Sequence, residues 1–116
     1  MTPSIPLVDL PTLDTLAAAP GVVALDFTAT WCGPCKTMLP VLTALAAEYA
    51  GRVRVVAIDV DAEQLAAQRY GVRSMPTLVL LRDGREVGRM VGSRPRAFVA
   101  GMLDRALAGD VAIASP

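Results

Sequence analysis

The chain has 116 residues, 11 basic and 11 acidic side chains, no histidine, and 53% apolar residues. Zero net charge excludes a broad electrostatic grip on nucleic acid or anionic lipid, and the lack of histidine removes Ser-His and Cys-His nucleophile pairs and most metal sites. The length suits one globular domain over residues 1–116, with a core of about 7–108 and loose ends at 1–6 and 110–116.

Ile5 to Val8 is a short strand candidate. Leu10, Leu13 and Leu16 stand three apart, so Pro11 to Ala19 reads as a helix that stops at Pro20-Gly21. Val22 to Thr28 is nearly continuously apolar, which fits a strand buried on both faces. Pro34 to Tyr49 sets Met38, Leu42, Leu45 and Tyr49 on one helical stripe, with Pro40 expected to kink it. A second buried strand spans Val53 to Val60. A helix over Ala62 to Tyr70 follows, with Asp61 as N-cap and Gly71 as its stop. Thr77 to Leu81 and Glu86 to Val91 form a hairpin across Asp83-Gly84. Arg96 to Ala108 is a helix expected to bury Phe98, Val99, Met102, Leu103 and Ala106. The alternation predicts an α/β sandwich, its sheet parallel at first with an antiparallel hairpin at one side.

The two cysteines are Cys32 and Cys35. A secreted, bridge-stapled scaffold carries more of them at wider spacing, and the start lacks a signal-peptide pattern. No apolar run approaches the roughly 20 residues of a membrane helix. These features predict a soluble, cytoplasmic chain, monomeric in its simplest form. Trp31-Cys-Gly-Pro-Cys-Lys36 falls where a buried strand gives way to a helix. Cys32 at the helix N-terminus is placed for its thiolate to be favoured by free N–H groups and the helix dipole. Cys35 lies one turn on, within reach, and is expected to be the more buried of the two. A bridge over four residues gains only about 2 kcal/mol of chain entropy, against about 4.7 for a hundred-residue loop. It suits a disulfide that opens and closes. Zinc or an iron–sulfur cluster shared between two chains, or two incidental core cysteines, are the other readings of the pair.

Asp26 interrupts the apolar run Val22-Val-Ala-Leu25 and Phe27. If both faces of that strand are covered, desolvation raises its pKa and makes it a proton acceptor or donor near neutral pH; the alternative is an edge position facing water. Ser74-Met-Pro-Thr77 marks a tight turn into an apolar strand, and Gly92 reads as a turn glycine.

Asp26-Phe27, Trp31 to Lys36, Pro40, Asp59 to Asp61, Tyr70-Gly-Val72, Pro76-Thr77, Asp83-Gly84 and Val91-Gly92 together resemble the thioredoxin family in register, from about Leu7 to Leu107. The resemblance implies the thioredoxin fold: a central mixed five-stranded sheet of order 1-3-2-4-5, flanked by four helices. It also implies a protein-disulfide reductase in cell redox homeostasis. Cys32 would be the exposed nucleophile, Cys35 the resolving thiol and Asp26 the base, with Pro76 cis. Trp31, Gly33, Pro34, Met75, Pro76 and Gly92 would form the substrate surface. The implied partners are disulfide-containing proteins and an NADPH-dependent thioredoxin reductase, a flavoprotein; the chain itself would carry no cofactor. Three positions depart from the common pattern. Ala57 stands where many members have a lysine, so Asp26 is expected to be harder to ionise. Thr28 replaces a frequent aromatic and thins the packing beneath the cysteines. Met75 replaces a frequent isoleucine. A redox partner dedicated to one target, an oxidant or isomerase, and a binding module using the apolar surface around Trp31 are the competing functions.

Overall fold

The computed structural model describes residues 5–109. Met1–Ser4 and Asp110–Pro116, which hold most of the expected loose ends, lie outside the described residues. The elements run α1 (Leu10–Ala17), β1 (Val22–Thr28), α2 (Gly33–Glu48), β2 (Val53–Asp59), α3 (Gln64–Arg69), β3 (Thr77–Arg82), β4 (Arg85–Val91) and α4 (Arg96–Leu107).

Among the described residues the sheet has four strands in the order β2-β1-β3-β4, not five. β1 pairs parallel to β2, whereas β1–β3 and β3–β4 are antiparallel. The expected first strand, Ile5 to Val8, is reduced to one parallel bridge, Leu7 to Ala57. Two bonds make it: Ala57 N–H to the Pro6 carbonyl and Val8 N–H to the Ala57 carbonyl, both 2.9 Å. Pro6 has no N–H to give, and Asp9 already turns the chain into α1 by accepting from Thr12 N–H at 3.0 Å. The ladder therefore cannot lengthen toward the helix.

Strand alternation sorts the core into two layers. Val22 and Ala24 of β1 join Val53, Val55, Leu78 and Leu80 against α2 and α4. Val23, Leu25 and Phe27 face the other way, with Val56, Ile58, Val79 and Leu81, toward α1 and α3. Both faces of β1 are thus covered, which is why its sequence is apolar without alternation. The α2 stripe falls where its periodicity places it: Met38, Leu42, Leu45 and Tyr49 are all buried. The helix runs on through Pro40, whose ring lies on the exposed side. Tyr49 Oη donates to Asp104 Oδ1 at 2.7 Å and so ties the end of α2 to α4.

Two helix expectations need correction. α3 begins at Gln64, because Asp59 caps the preceding turn: its Oδ1 accepts from Asp61 N–H at 2.9 Å, leaving Asp61 outside the helix. On α4, Val99, Met102, Leu103 and Ala106 are buried, but Phe98 is 46% exposed. It lies at the helix's first turn, stacked under the Arg94 guanidinium at 5.0 Å. The hairpin turn is as expected, with Asp83 and Gly84 both at positive φ, 52° and 82°, the conformation of a type I′ turn. Among the described residues no helix is long and apolar enough to cross a membrane.

Candidate active site

The end of β1 and the start of α2 build the site. Cys32 is the N-cap of α2, in extended conformation, and Gly33 and Pro34 open the helix. Proline suits this turn because the missing N–H is one the helix would leave unpaired anyway. Cys32 and Cys35 are joined as a disulfide, with Cα atoms 5.3 Å apart. The Cys35 backbone N–H donates to Cys32 Sγ at 3.2 Å. One of the free N–H groups of the helix start is thereby aimed at the sulfur, where it favours negative charge.

The expected contrast in exposure is not present in this oxidised form. Cys32 is 4% exposed and Cys35 7%. Each bridged sulfur covers the other, and Ala29, Val60 and Met75 close around the pair. Val60 is a contact that the sequence reading missed; as the last residue of an apolar run it carried no signal beyond core. Asp61 was also missed in its present role. Its Oδ2 accepts from Trp31 Nε1 at 2.7 Å, which orients a tryptophan that is 65% exposed.

Asp26 shares strand parity with Val22 and Ala24, so it points toward α2, directly beside Ala57 on β2 and Leu78 on β3. At 5% exposure it is not an edge residue facing water. It and Cys35 line one recess beneath the first turns of α2. Burial alone pushes the Asp26 carboxyl up to about 7, because the ionised form loses its hydration without gaining a partner. Its neighbour on β2, Ala57, offers it no cation.

Of the other residues expected at the substrate surface, Pro76 is buried and Met75 and Gly92 are half-buried. The Met75–Pro76 peptide bond is cis. Gly92 N–H donates to the Pro76 carbonyl at 2.8 Å, which holds the end of β4 against the proline turn. Gly92 adopts φ +89°, and a side chain there would meet no atom but would strain the backbone. Gly33 and Pro34 are exposed beside the bridge. Among the described residues no group of three or more His, Cys, Asp or Glu side chains is placed to hold a metal ion.

A four-stranded mixed sheet between helices, with a Cys-Gly-Pro-Cys bridge at the start of a helix, defines a thioredoxin-fold thiol–disulfide oxidoreductase. The family model described as Thioredoxin matches residues 13–105. A curated thioredoxin of Staphylococcus aureus is 46% identical over 87 residues, covering 75% of this chain and 84% of that protein. The crystal structure of oxidised mitochondrial thioredoxin 3 from Saccharomyces cerevisiae superposes with a TM-score of 0.78 at 40% identity, covering 86% of this chain and 94% of that one. A chain from a structural study of thiol resolution in yeast mitochondrial 1-Cys peroxiredoxin via glutathione/thioredoxin systems gives a TM-score of 0.79 at 39% identity, covering 87% and 95%. The chain belongs to the thioredoxin family, and Cys32–Cys35 is its redox pair.

Proposed function

We propose that this chain is a cytoplasmic, single-domain protein-disulfide reductase in which Cys32 is the nucleophile, Cys35 the resolving thiol and Asp26 the proton acceptor. The observation that carries the reading is the Cys35 N–H directed at Cys32 Sγ in the first turn of α2. A thiolate is the attacking species in disulfide exchange, and Cys32 is the sulfur that the helix start favours in that form.

Cys32 Sγ attacks one sulfur of a substrate disulfide. A mixed disulfide forms and the substrate's other sulfur leaves as thiolate. Cys35 gives its proton to Asp26 and attacks Cys32 Sγ. The Cys32–Cys35 bond forms, the mixed disulfide breaks, and the substrate departs with two electrons and two reduced sulfurs. A carboxyl pushed up to about 7 can both accept and return that proton near neutral pH. Trp31, Gly33, Pro34, Met75, Pro76 and Gly92 form the docking surface, and the backbone beside Pro76 pairs with an extended substrate segment. An NADPH-dependent thioredoxin reductase returns the bridge to the dithiol, and the chain works as a monomer.

Trapping tests the division of labour. With a disulfide-containing protein, reduced Cys35→Ser is expected to accumulate a mixed disulfide through Cys32, while Cys32→Ser forms none at a comparable rate. Equal trapping by both variants contradicts the assignment.

A further inference from the structure

Ala57 and Thr28 are small side chains beside Asp26, and the space next to them is open. The recess there has a volume of about 290 Å³ and is walled by Ile5, Leu7, Asp26, Cys35, Leu39 and Ala57 among others. That size is at the low end of the ~300–1000 Å³ range of small-molecule sites. Leu7 and Leu39 are 67% and 50% exposed, which puts the mouth of the recess at the surface.

Its polar content is lopsided. Asp26 reaches it from β1, nineteen-twentieths buried and with neither a hydrogen bond nor a counter-charge acting on its carboxyl. The other charged groups that line it are Lys36 from α2 and Asp59 from β2. Asp59 Oδ1 is already engaged by Asp61 N–H at 2.9 Å, and Lys36 is exposed. The interior therefore combines apolar walls with one carboxyl that lacks a donor. A buried carboxylate gains most from a cationic donor, more than from a neutral hydroxyl, and repels an anion.

We propose that this recess is a binding site for a small primary aliphatic ammonium ion, its alkyl chain against Leu7, Leu39 and Ala57 and its ammonium donating to the Asp26 carboxylate. Occupancy favours the ionised carboxylate. An effect on Cys35 deprotonation then follows if Asp26 is the proton acceptor proposed above; the binding itself does not depend on that role.

The test is an NMR titration of the oxidised full chain with n-butylammonium at about pH 8, where Asp26 is mostly ionised, with 1-butanol as the neutral isostere. Saturable shifts are expected at Asp26, Thr28, Ala57 and Lys36, with binding about tenfold tighter for the ammonium than for the alcohol. Asp26→Asn is expected to erase that preference. Ala57→Leu, which fills the recess, is expected to abolish both titrations while the rest of the spectrum stays folded. No saturable shift up to about 100 mM, equal affinity for the two probes, or shifts indifferent to Ala57→Leu would overturn the proposal. Because the readout is binding to the oxidised protein, a failure here leaves the reductase reading untouched, and a failure of that reading leaves this titration interpretable.

Discussion

Cys35 donates its backbone N–H to the sulfur of Cys32 across 3.2 Å, so the residue proposed to resolve the mixed disulfide also points a donor at the sulfur proposed to form it. The two differ in what surrounds them. Cys32 caps the helix, whereas Cys35 lies inside it, on the recess it shares with Asp26.

Alkylation of the reduced protein is expected to show that asymmetry. Cys32 should keep reacting well below about pH 8.5, where an ordinary thiol has lost half its thiolate. Cys35 should react slowly throughout. The rate against pH in Cys35→Ser and Cys32→Ser, read by mass spectrometry, checks this; indistinguishable profiles contradict it.

Asp26 is expected to tie stability to pH with an unusual sign. Its folded carboxyl titrates at about 7, against 3.8 for the free side chain. Between those values the folded state holds the proton more tightly than the unfolded one. Stability is therefore full below about pH 4 and is lost as pH rises through 7. From pH 5 to pH 8 the oxidised protein should lose about 3 kcal/mol, measured by denaturant unfolding. Asp26→Asn should flatten that dependence and be the more stable protein at pH 8. A wild-type curve flat over this interval contradicts the assignment.

The buried centre of the fold was legible because its physics is local. The unbroken run Val22 to Leu25 required covered faces, the 3.6-residue stripe of α2 required a core beneath it, and Asp83-Gly84 suited the positive φ of a tight hairpin. Asp26 stood out as a carboxyl in that run, and strand parity carries it beneath α2. What was missed depends on competition between neighbours. Pro6 and the Asp9 cap cut the first strand to a bridge, Asp59 outbid Asp61 for the turn before α3, and Phe98 found a guanidinium instead of the core. The burial of Cys32 is a property of the closed bridge and of Val60 and Met75, residues distant in sequence.

Trp31 is held by Asp61 through a 2.7 Å hydrogen bond at the surface. Asp61→Ala is expected to change Trp31 fluorescence and lower kcat/KM for a protein disulfide a few-fold. Stability should change by less than about 1 kcal/mol, as for most exposed substitutions. Unchanged kcat/KM would show that the orientation of Trp31 does not matter for docking.

Gly92→Ala separates strain from contact. No atom lies within 4 Å of the added Cβ, but φ is +89°. The expected cost is about 1–2 kcal/mol from backbone strain, together with weaker substrate binding as the Gly92–Pro76 bond loosens. Thermal unfolding and substrate KM measure the two effects; a variant as stable as the wild type contradicts the strain.

The most direct test of the account is the equilibrium reduction potential of the Cys32–Cys35 pair, titrated against a thiol buffer and followed by the fluorescence of Trp31, the chain's single tryptophan. A protein-disulfide reductase requires a value below about −240 mV, on the side of the range where thioredoxins lie. A value near or above about −200 mV, the region of isomerases and oxidants, would contradict it.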